Sequence, residues 1–434
     1  MNAENFLERL KKNELIVALY RMSFLRRAYH FTLAFLGALV YRFPSRKIFV
    51  LGVTGTKGKS TVLELISAIF EEAGKKTALL SSVRVKIGKD SAKNKSSTTM
   101  PGRFFIQKFL RRAVGTGCEY ALIEVTSEGI EQFRHRFISF DAALVTNLHP
   151  EHVEAHGSFE NYRNAKVSFF EHVSRSRKKK VRFFINEEDA HRDYFMAVAR
   201  DIESVVLFGR EQFIENEVGA RYTLKAMGDH GVVGDWLRAN FNLENAAAAV
   251  AFARSQGIDW SVIAATFKKF KGLPGRLEFI QHKPFTVVID YAHTPDSLRK
   301  VYETLSNENS KLICVLGAAG GGRDKWKRPE MGKIASQYCS EIILTNEDPY
   351  DEVPEKVLED IEGGFPGAVN YRKIMDRKEA IRAALKSVKK GDTIIITGKG
   401  SEIWMRVAGG KKIPWNEKKV VLAALKASKK RSRV

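Results

Sequence analysis

From residue 48 onward, the apolar positions of this chain follow two kinds of order. Short unbroken apolar runs, rich in β-branched residues, occur at 48–53, 120–125, 142–146 and 182–185, with helical periodicity between several of them. Unbroken runs of that length predict strands buried on both faces, and alternation with helices predicts a mostly parallel, doubly wound sheet. Helical patterns over 242–255 and 261–270 lead into Gly272-Leu-Pro-Gly275, whose residue types predict a hinge. A second alternation follows, with strands predicted at 286–290, 311–317, 341–345 and 393–397 and helices near 295–305, 354–361 and 377–387. The expected architecture is α/β: a short helical N-terminal segment (1–47), a central ATPase-type sheet domain (48–272) and a smaller Rossmann-like α/β domain (273–434).

The segment before the first strand has its own pattern. Residues 31–41 (FTLAFLGALVY) are uncharged and apolar, and are flanked by Arg26, Arg27 and Arg42. The run is well short of the roughly 20 residues that span a bilayer, and it lies too deep to be a secretion signal. Two readings stand: a helix packed on the body of the protein, or a basic-flanked interfacial helix meeting a membrane through 28–43.

Composition changes this picture little. The chain has 434 residues, 44% hydrophobic and 28% charged, which is long enough for two or three domains with real cores. A formal charge of +22 is partly concentrated in 175–180 (RSRKKK) and in the tail 426–433 (KASKKRSR). No nucleic-acid motif accompanies these runs, so they read as a solvated loop and a solvated, disordered end, with anionic substrates or a membrane surface as the second reading. Cys118, Cys314 and Cys339 are scattered and lack metal spacing, which fits a reducing cytoplasm.

The first strand carries the strongest chemical signal. Ile48-Phe-Val-Leu-Gly-Val-Thr-Gly-Thr-Lys-Gly-Lys-Ser-Thr61 runs from an apolar strand through glycines into a helix predicted to reach about Ala73. Such an order makes a phosphate cradle, with Lys59 within reach of terminal phosphates and the Ser60 hydroxyl suited to Mg²⁺. Val53 stands where the standard loop has its first glycine, so the spacing is a variant one. Glu124 ends the next strand, at the sheet edge where ligands gather. Asn147-Leu-His-Pro-Glu-His152 follows another strand, and Lys166 sits early in a helical pattern. Singly, these are a cap partner, a surface histidine and a solvated lysine. Beside a phosphate loop they become a candidate Mg²⁺–nucleotide site.

These residues fall within an ordered set of motifs. They include Gly55-Thr-Lys-Gly-Lys-Ser-Thr61, Thr98-Thr-Met-Pro101, Glu124-Val-Thr-Ser-Glu-Gly-Ile-Glu-Gln-Phe-Arg134 and Glu151-His-Val-Glu-Ala-His-Gly157. Further along come Tyr162-x-x-Ala-Lys166, Phe241-Asn-Leu-Glu-Asn245, Leu273-Pro-Gly-Arg-Leu-Glu278, Asp290-Tyr-Ala-His293, Gly320-Gly-Gly-Arg-Asp324 and Gly398-Lys-Gly-Ser-Glu402. From 48 to about 410 the chain resembles the Mur ligases, of the MurE type. The resemblance implies ATP-dependent amide bond formation: a muramyl-peptide carboxylate is activated as an acyl phosphate and attacked by an amino acid in peptidoglycan precursor synthesis. It implies ATP and two Mg²⁺ ions, with Gly55, Thr56, Lys57, Gly58, Lys59, Ser60 and Thr61 around the phosphates. Ser60, Glu124, His152 and a carbamylated Lys166 would be metal ligands. Asn242, Asn245, Arg276, Asp376 and Arg377 would position the nucleotide, and Asp290 and His293 would close the site. Thr98, Thr99, Ser127, Gln132 and Arg134 match positions that contact the donor.

Three departures shape the remaining expectations. The family's N-terminal uridine-binding module has no counterpart in 1–47, which opens the question of the donor's carrier. The acceptor loop reads Glu347-Asp-Pro-Tyr350 where diaminopimelate-adding members have Asp-Asn-Pro-Arg, so Asp348 and Glu402 are expected to face a cationic amine. Gly-Lys-Gly-Ser-Glu402 replaces a motif with histidine at its fourth position. Diaminopimelate, lysine or another diamine all remain acceptors on this reading, and the amine's base is unidentified. The alternatives are a folylpolyglutamate-synthetase-like ligase and a non-catalytic nucleotide-binding scaffold. The expected partners are small molecules rather than nucleic acid, and the expected state is a monomer in the cytoplasm.

Overall fold

A computed structural model describes residues 23–94, 99–151, 156–199, 201–209, 213–215, 221–223, 234–322 and 324–431. The chain forms two compact units. The first comprises residues 1–151, 156–221 and 244–266, and the second 152–155, 222–243 and 267–434. Divisions fall within two helices, Asn240–Ser255 and Trp260–Lys269, and residues 272–275 lie in the second unit.

The first unit opens with helix α1 (Ser23–Val40). Strand β1 (Phe49–Thr54) follows, then α2 (Lys59–Glu72), β2 (Thr77–Leu80), β3 (Arg84–Ile87) and β4 (Asp90–Lys93). Next come α3 (Arg103–Gly115), β5 (Tyr120–Glu124), the short α4 (Ser127–Glu131), β6 (Ala142–Val145), α5 (Phe159–Ser174) and β7 (Arg182–Asn186). The chain continues through α6 (Arg192–Met196), β8 (Val205–Phe208), β9 (Phe213–Glu215), β10 (Arg221–Thr223), α7 (Asn240–Ser255) and α8 (Trp260–Lys269), the last three each divided between the two units. The first unit's eight-stranded sheet has the order β4-β3-β2-β5-β1-β6-β7-β8, parallel from β2 to β8, with β3 and β4 antiparallel at one edge. β1 lies centrally, between β5 and β6, and the loops leaving these three strands share one sheet edge. That edge is where an open α/β sheet binds its ligands. The predicted doubly wound parallel sheet is present, and the β2–β4 meander is an addition. β4 is exposed at all four positions, so no apolar run marked it.

Gly52 belongs to the packing of β1 rather than to the phosphate loop. A Cβ there would come within 2.4 Å of the Phe169 ring and 2.9 Å of Phe140. Helix α1 packs through Ala34 and Ala38, both buried, against α3. Phe31, Phe35 and Leu39 stay 46%, 40% and 51% exposed. The helix thus docks on the body and still presents an apolar face. Among the described residues no helix is long and apolar enough to cross a membrane.

In the second unit, β11 (Glu278–Gln281) pairs antiparallel with β12 (Thr286–Ile289). The parallel strands β13 (Leu312–Leu316), β14 (Glu341–Leu344), β15 (Tyr371–Lys373) and β16 (Thr393–Ile396) complete a sheet of order β11-β12-β16-β13-β14-β15. Helices α9 (Pro295–Leu305), α10 (Lys327–Tyr338), α11 (Pro354–Glu362) and α12 (Arg377–Ser387) separate these strands. Both faces are buried: Val288, Cys314, Leu316 and Ile395 join one apolar cluster, while Val287, Ile313, Val315 and Ile394 join another. A hairpin of β17 (Trp404–Arg406) and β18 (Lys412–Pro414) leads to α13 (Glu417–Arg431).

Two expectations change. The tail was expected to be a disordered end, yet it is helical to Arg431, because Val421, Ala424 and Leu425 give α13 an apolar face that the clustered lysines hide. Cys314 and Cys339, expected as unrelated thiols, are joined by a disulfide across 25 residues of sequence, and Cys118 is free and buried.

Candidate nucleotide and ligation site

The phosphate loop joins β1 to α2. Gly55 and Gly58 take positive φ values of 138° and 84°, and a Cβ at Gly58 would lie 2.1 Å from Asn245 Oδ1. Both positions thus suit glycine by conformation and by space, since a Cβ at Gly55 would lie 2.0 Å from Thr146 Oγ1. The segment after β6 ties the loop down. Thr56 N donates to Asn147 O at 2.8 Å, Lys57 N to Asn147 Oδ1 at 2.9 Å, and the Lys57 ammonium pairs with Glu151 at 2.6 Å. A backbone held open in this way, at the start of a 14-residue helix, is a ready anion cradle.

Two lysines converge on this loop. Lys59 Nζ donates to Gly55 O at 2.9 Å and to Thr56 O at 3.0 Å, and Lys166 Nζ reaches the same Gly55 O at 2.8 Å. Lys166 is 1% exposed and lies 4.6 Å over the Tyr162 ring. Burial, then the neighbouring Lys59 charge, holds its pKa well below the ordinary lysine value, against the opposing pull of Glu151 and Glu124. The Lys166 amine is therefore biased toward its neutral form.

The hard-cation donors gather beside α2. Ser60 Oγ donates to Glu124 Oε2 at 3.0 Å, and Ser82 N donates to the same oxygen at 2.8 Å. A hydroxyl and a carboxylate next to a phosphate cradle form the donor set that Mg²⁺ accepts when phosphate oxygens complete it. Among the described residues no group of three or more His, Cys, Asp or Glu side chains could hold a metal unaided. His152 and Thr98 lie outside the described residues, so the second-metal and first donor-contact assignments stand only as sequence expectations.

The expected donor contacts form a neighbouring group. Arg134 Nη2 donates to Gln132 Oε1 at 2.7 Å, and its Nη1 donates to Met100 O, next to Thr99. Ser127 Oγ lies 3.0 Å from His156 Nε2, an imidazole within the Glu151–Gly157 motif to which local spacing assigns no role.

In the second unit the charged candidates are engaged within the fold. Arg377 is buried against Glu417 and also donates to Thr397 O at 2.6 Å, while Asp376 caps α12 by accepting from Glu379 N at 3.0 Å. Asp290 accepts backbone N–H bonds from Leu277 and Ala292, each at 2.6 Å. His293 Nδ1 donates to Tyr291 O at 2.7 Å, and Arg276 lies 4.2 Å over the Tyr291 ring. Asn242 Nδ2 donates to Trp236 O. Lys399, fully buried, donates to Asp348 Oδ1 at 2.8 Å and to Glu402 Oε2 at 2.5 Å. The two carboxylates expected to attract a cationic amine already share an internal cation. Beside them, burial pushes the Glu347 carboxyl up to about 7, although Lys399 and Arg377 pull the other way.

With this geometry in place, the comparisons with known proteins fall into one pattern. Residues 53–253 match the Mur ligase middle domain, and residues 275–400 match the Mur ligase glutamate ligase domain. The chain is similar to the UDP-N-acetylmuramoyl-L-alanyl-D-glutamate--2,6-diaminopimelate ligase of Halalkalibacterium halodurans, 34% identical over 372 residues covering 84% of this chain and 76% of that protein. With the equivalent ligase of Gloeobacter violaceus the identity is 37% over 411 residues, covering 93% and 82%. A solved structure of a ligase of that name superimposes with a TM-score of 0.57 at 26% identity, covering 88% and 79%. A folylpolyglutamate synthase from Mycobacterium tuberculosis, at 18% identity and a TM-score of 0.63 over 85% and 92% of the two chains, shares the fold.

Proposed function

The chain belongs to the Mur ligase family and is an ATP-dependent ligase, and we propose that it adds 2,6-diaminopimelate to a UDP-N-acetylmuramoyl-L-alanyl-D-glutamate-type donor. The observation that carries this reading is the convergence of Lys59 and Lys166 on the carbonyl of Gly55, beside the Ser60–Glu124 pair. The Lys59 ammonium, folded onto the loop carbonyls at a helix N-terminus with a hydroxyl–carboxylate pair beside it, is complementary to a triphosphate and its cation.

The chemistry follows from charge. A carboxylate is a poor electrophile, so the donor carboxylate oxygen bonds to the γ-phosphorus of ATP as the bond to the β–γ bridging oxygen breaks, giving an acyl phosphate and ADP. The Lys59 ammonium and the loop N–H groups stabilise charge on the γ-phosphoryl group in transit. The amine nitrogen then bonds to the carbonyl carbon, and the C–O bond to phosphate breaks. Ser60 and Glu124 would hold Mg²⁺ together with phosphate oxygens, and the ion would supply charge neutralisation at those oxygens. Its second site would add His152 and Lys166. The lowered pKa of Lys166 supports carbamylation there, because only a neutral amine reacts with carbon dioxide. Gln132, Arg134, Thr99, Thr98 and Ser127 are proposed to hold the donor.

Diaminopimelate is preferred over lysine because the relatives named above are diaminopimelate ligases and Lys399 already occupies the acidic pair. The proposed location is the cytoplasm, with the protein acting as a monomer. The exposed Phe31, Phe35 and Leu39, with Arg26, Arg27 and Arg42 at the helix ends, support a peripheral membrane contact through 28–43. Flotation with phosphatidylglycerol but not phosphatidylcholine vesicles is the expected result, and equal recovery from both would remove that contact.

The test of the ligase reading is phosphate release and product mass with ATP, Mg²⁺, the UDP-linked donor and each amine. Release that depends on both donor and diaminopimelate is expected. No amine-dependent release with either amine would sink the reading. A kcat/KM ratio near unity between the two amines would remove the diaminopimelate assignment, whereas a ratio above ~100, or about 2.7 kcal/mol, would establish it.

A further inference from the structure

Amide formation leaves one proton to place, because an amine attacking a carbonyl must shed it as the bond forms. In the first unit, three side chains beside the phosphate loop form a series. Ser127 Oγ is 3.0 Å from His156 Nε2, and Glu131 Oε1 is 2.9 Å from His156 Nδ1. The carboxylate stands beside the ring nitrogen as a flanking charge and not as an in-line acceptor. Ser127 is 4% exposed and His156 7%, while the Glu131 side chain is 51% exposed. The series therefore runs from a buried hydroxyl through a buried imidazole to a carboxylate in water. The imidazole packs on Tyr162 with centroids 5.3 Å apart, and the Tyr162 hydroxyl meets Thr56 Oγ1 at 3.1 Å. One aromatic ring thus separates His156 from the loop that cradles phosphate.

A carboxylate at Nδ1 favours the tautomer protonated there, which leaves the Nε2 lone pair to accept the Ser127 hydroxyl. The helix start does not need that hydroxyl, since Thr126 Oγ1 already accepts from Gly129 N at 3.1 Å. The groups facing the ring are Glu131 and Ser127 from α4 and Tyr162 from α5. Burial pushes the Tyr162 phenol far above its ordinary value, so it holds its proton.

We infer that Ser127 and His156 take the proton from the attacking amine, an inference that rests on the ligase reading above. As the nitrogen bonds to the carbonyl carbon, its proton passes to Ser127 Oγ while the Ser127 proton passes to His156 Nε2. The C–O bond to phosphate breaks and its electron pair leaves with inorganic phosphate. Glu131 stands beside Nδ1 throughout, and once product leaves, the Nε2 proton returns through Ser127 Oγ to the water that replaces it, which restores the starting tautomer.

The experiment compares two nucleophiles with the full-length protein, ATP, Mg²⁺ and the UDP-linked dipeptide donor. Both nucleophiles shed a proton as they bond to the carbonyl carbon. The hydroxylamine nitrogen, however, is so weakly basic that its proton passes to water without a side-chain base, so it traps the acyl phosphate as a hydroxamate when diaminopimelate, a strongly basic amine, cannot react. His156→Gln and Ser127→Ala are expected to lower diaminopimelate ligation about 100- to 1,000-fold, with hydroxamate yield falling less than about tenfold. Ser127→Thr, which keeps the hydroxyl, should recover most of the loss. Equal losses with both nucleophiles would mean the pair only positions the donor, and ligation within about threefold of wild type would mean it has no part; either result overturns the inference. Absence of both products in the wild-type protein would instead overturn the ligase reading, and this inference with it.

Discussion

Lys166 and Lys399 are both buried lysines, and the fold treats them in opposite ways. Lys166, in the first unit, finds a carbonyl and a second lysine, and its pKa falls well below the ordinary value through burial and then the Lys59 charge. Lys399, in the second, suffers the same burial penalty, yet Glu402, Asp348 and Glu347 outweigh it and its pKa rises. Burial alone therefore does not decide the charge of a lysine; the sign of its neighbours does. An amine kept short of counter-charge is available for reaction or for an anionic ligand. One already paired is part of the scaffold.

The largest expected effect tests the reactive side of this contrast. Lys59→Ala should lower ligation by more than about 1,000-fold, because stabilising phosphoryl charge is most of this catalysis. Near-wild-type turnover in the phosphate-release assay would break the nucleotide assignment. Lys166→Ala should cost about 100- to 1,000-fold, partly restored by acetate standing in for a carbamate, and mass spectrometry under bicarbonate should show the modified lysine. A bare amine together with full activity in the variant would remove Lys166 from the chemistry.

Stability sharpens the same comparison. Lys399→Met strands Asp348 and Glu402 beside Glu347 and should cost about 3 kcal/mol in urea denaturation, whereas Lys166→Met, which removes a poorly compensated amine, should cost less than about 1 kcal/mol. Equal losses would show that the two lysines are not differently held.

A further test of buried charge concerns Glu347. Its folded pKa of about 7 lies above the ordinary glutamate value of 4.5, so between these pH values the folded state keeps a proton that the unfolded state has lost. The contribution of this group to stability should then be fully present below about pH 4.5 and be lost as pH rises through 7, by about 3 kcal/mol at most. Glu347→Gln should flatten that decline. An unchanged stability–pH profile in the variant would show that Glu347 does not titrate as its burial implies.

The strands and helices that carry the site were largely legible. The apolar runs at 120–125 and 393–397 became β5 and β16, and the helix predicted from Lys59 to about Ala73 is α2. What escaped notice had weak local patterns, such as exposed β4 and the lysine-rich α13. The acceptor loop misled for a different reason. Asp348 and Glu402 look like free carboxylates in sequence, and only folding brings Lys399 between them.

The sequence by itself determined what depends on neighbours along the chain. Periodicity sets strand and helix, glycines at 55 and 58 permit the loop conformation, and Lys59-Ser60 fixes which atoms a phosphate would meet. Tertiary structure alone decided which charges and hydrogen bonds close on one another. Arg377 and Glu417 are separated by 40 residues, Lys399 and Asp348 by 51, Ser127 and His156 by 29, and Lys166 and Gly55 by 111. Such pairings depend on strand order and on which loops emerge at the same sheet edge. Their electrostatic consequences depend on burial, and neither is written in local periodicity.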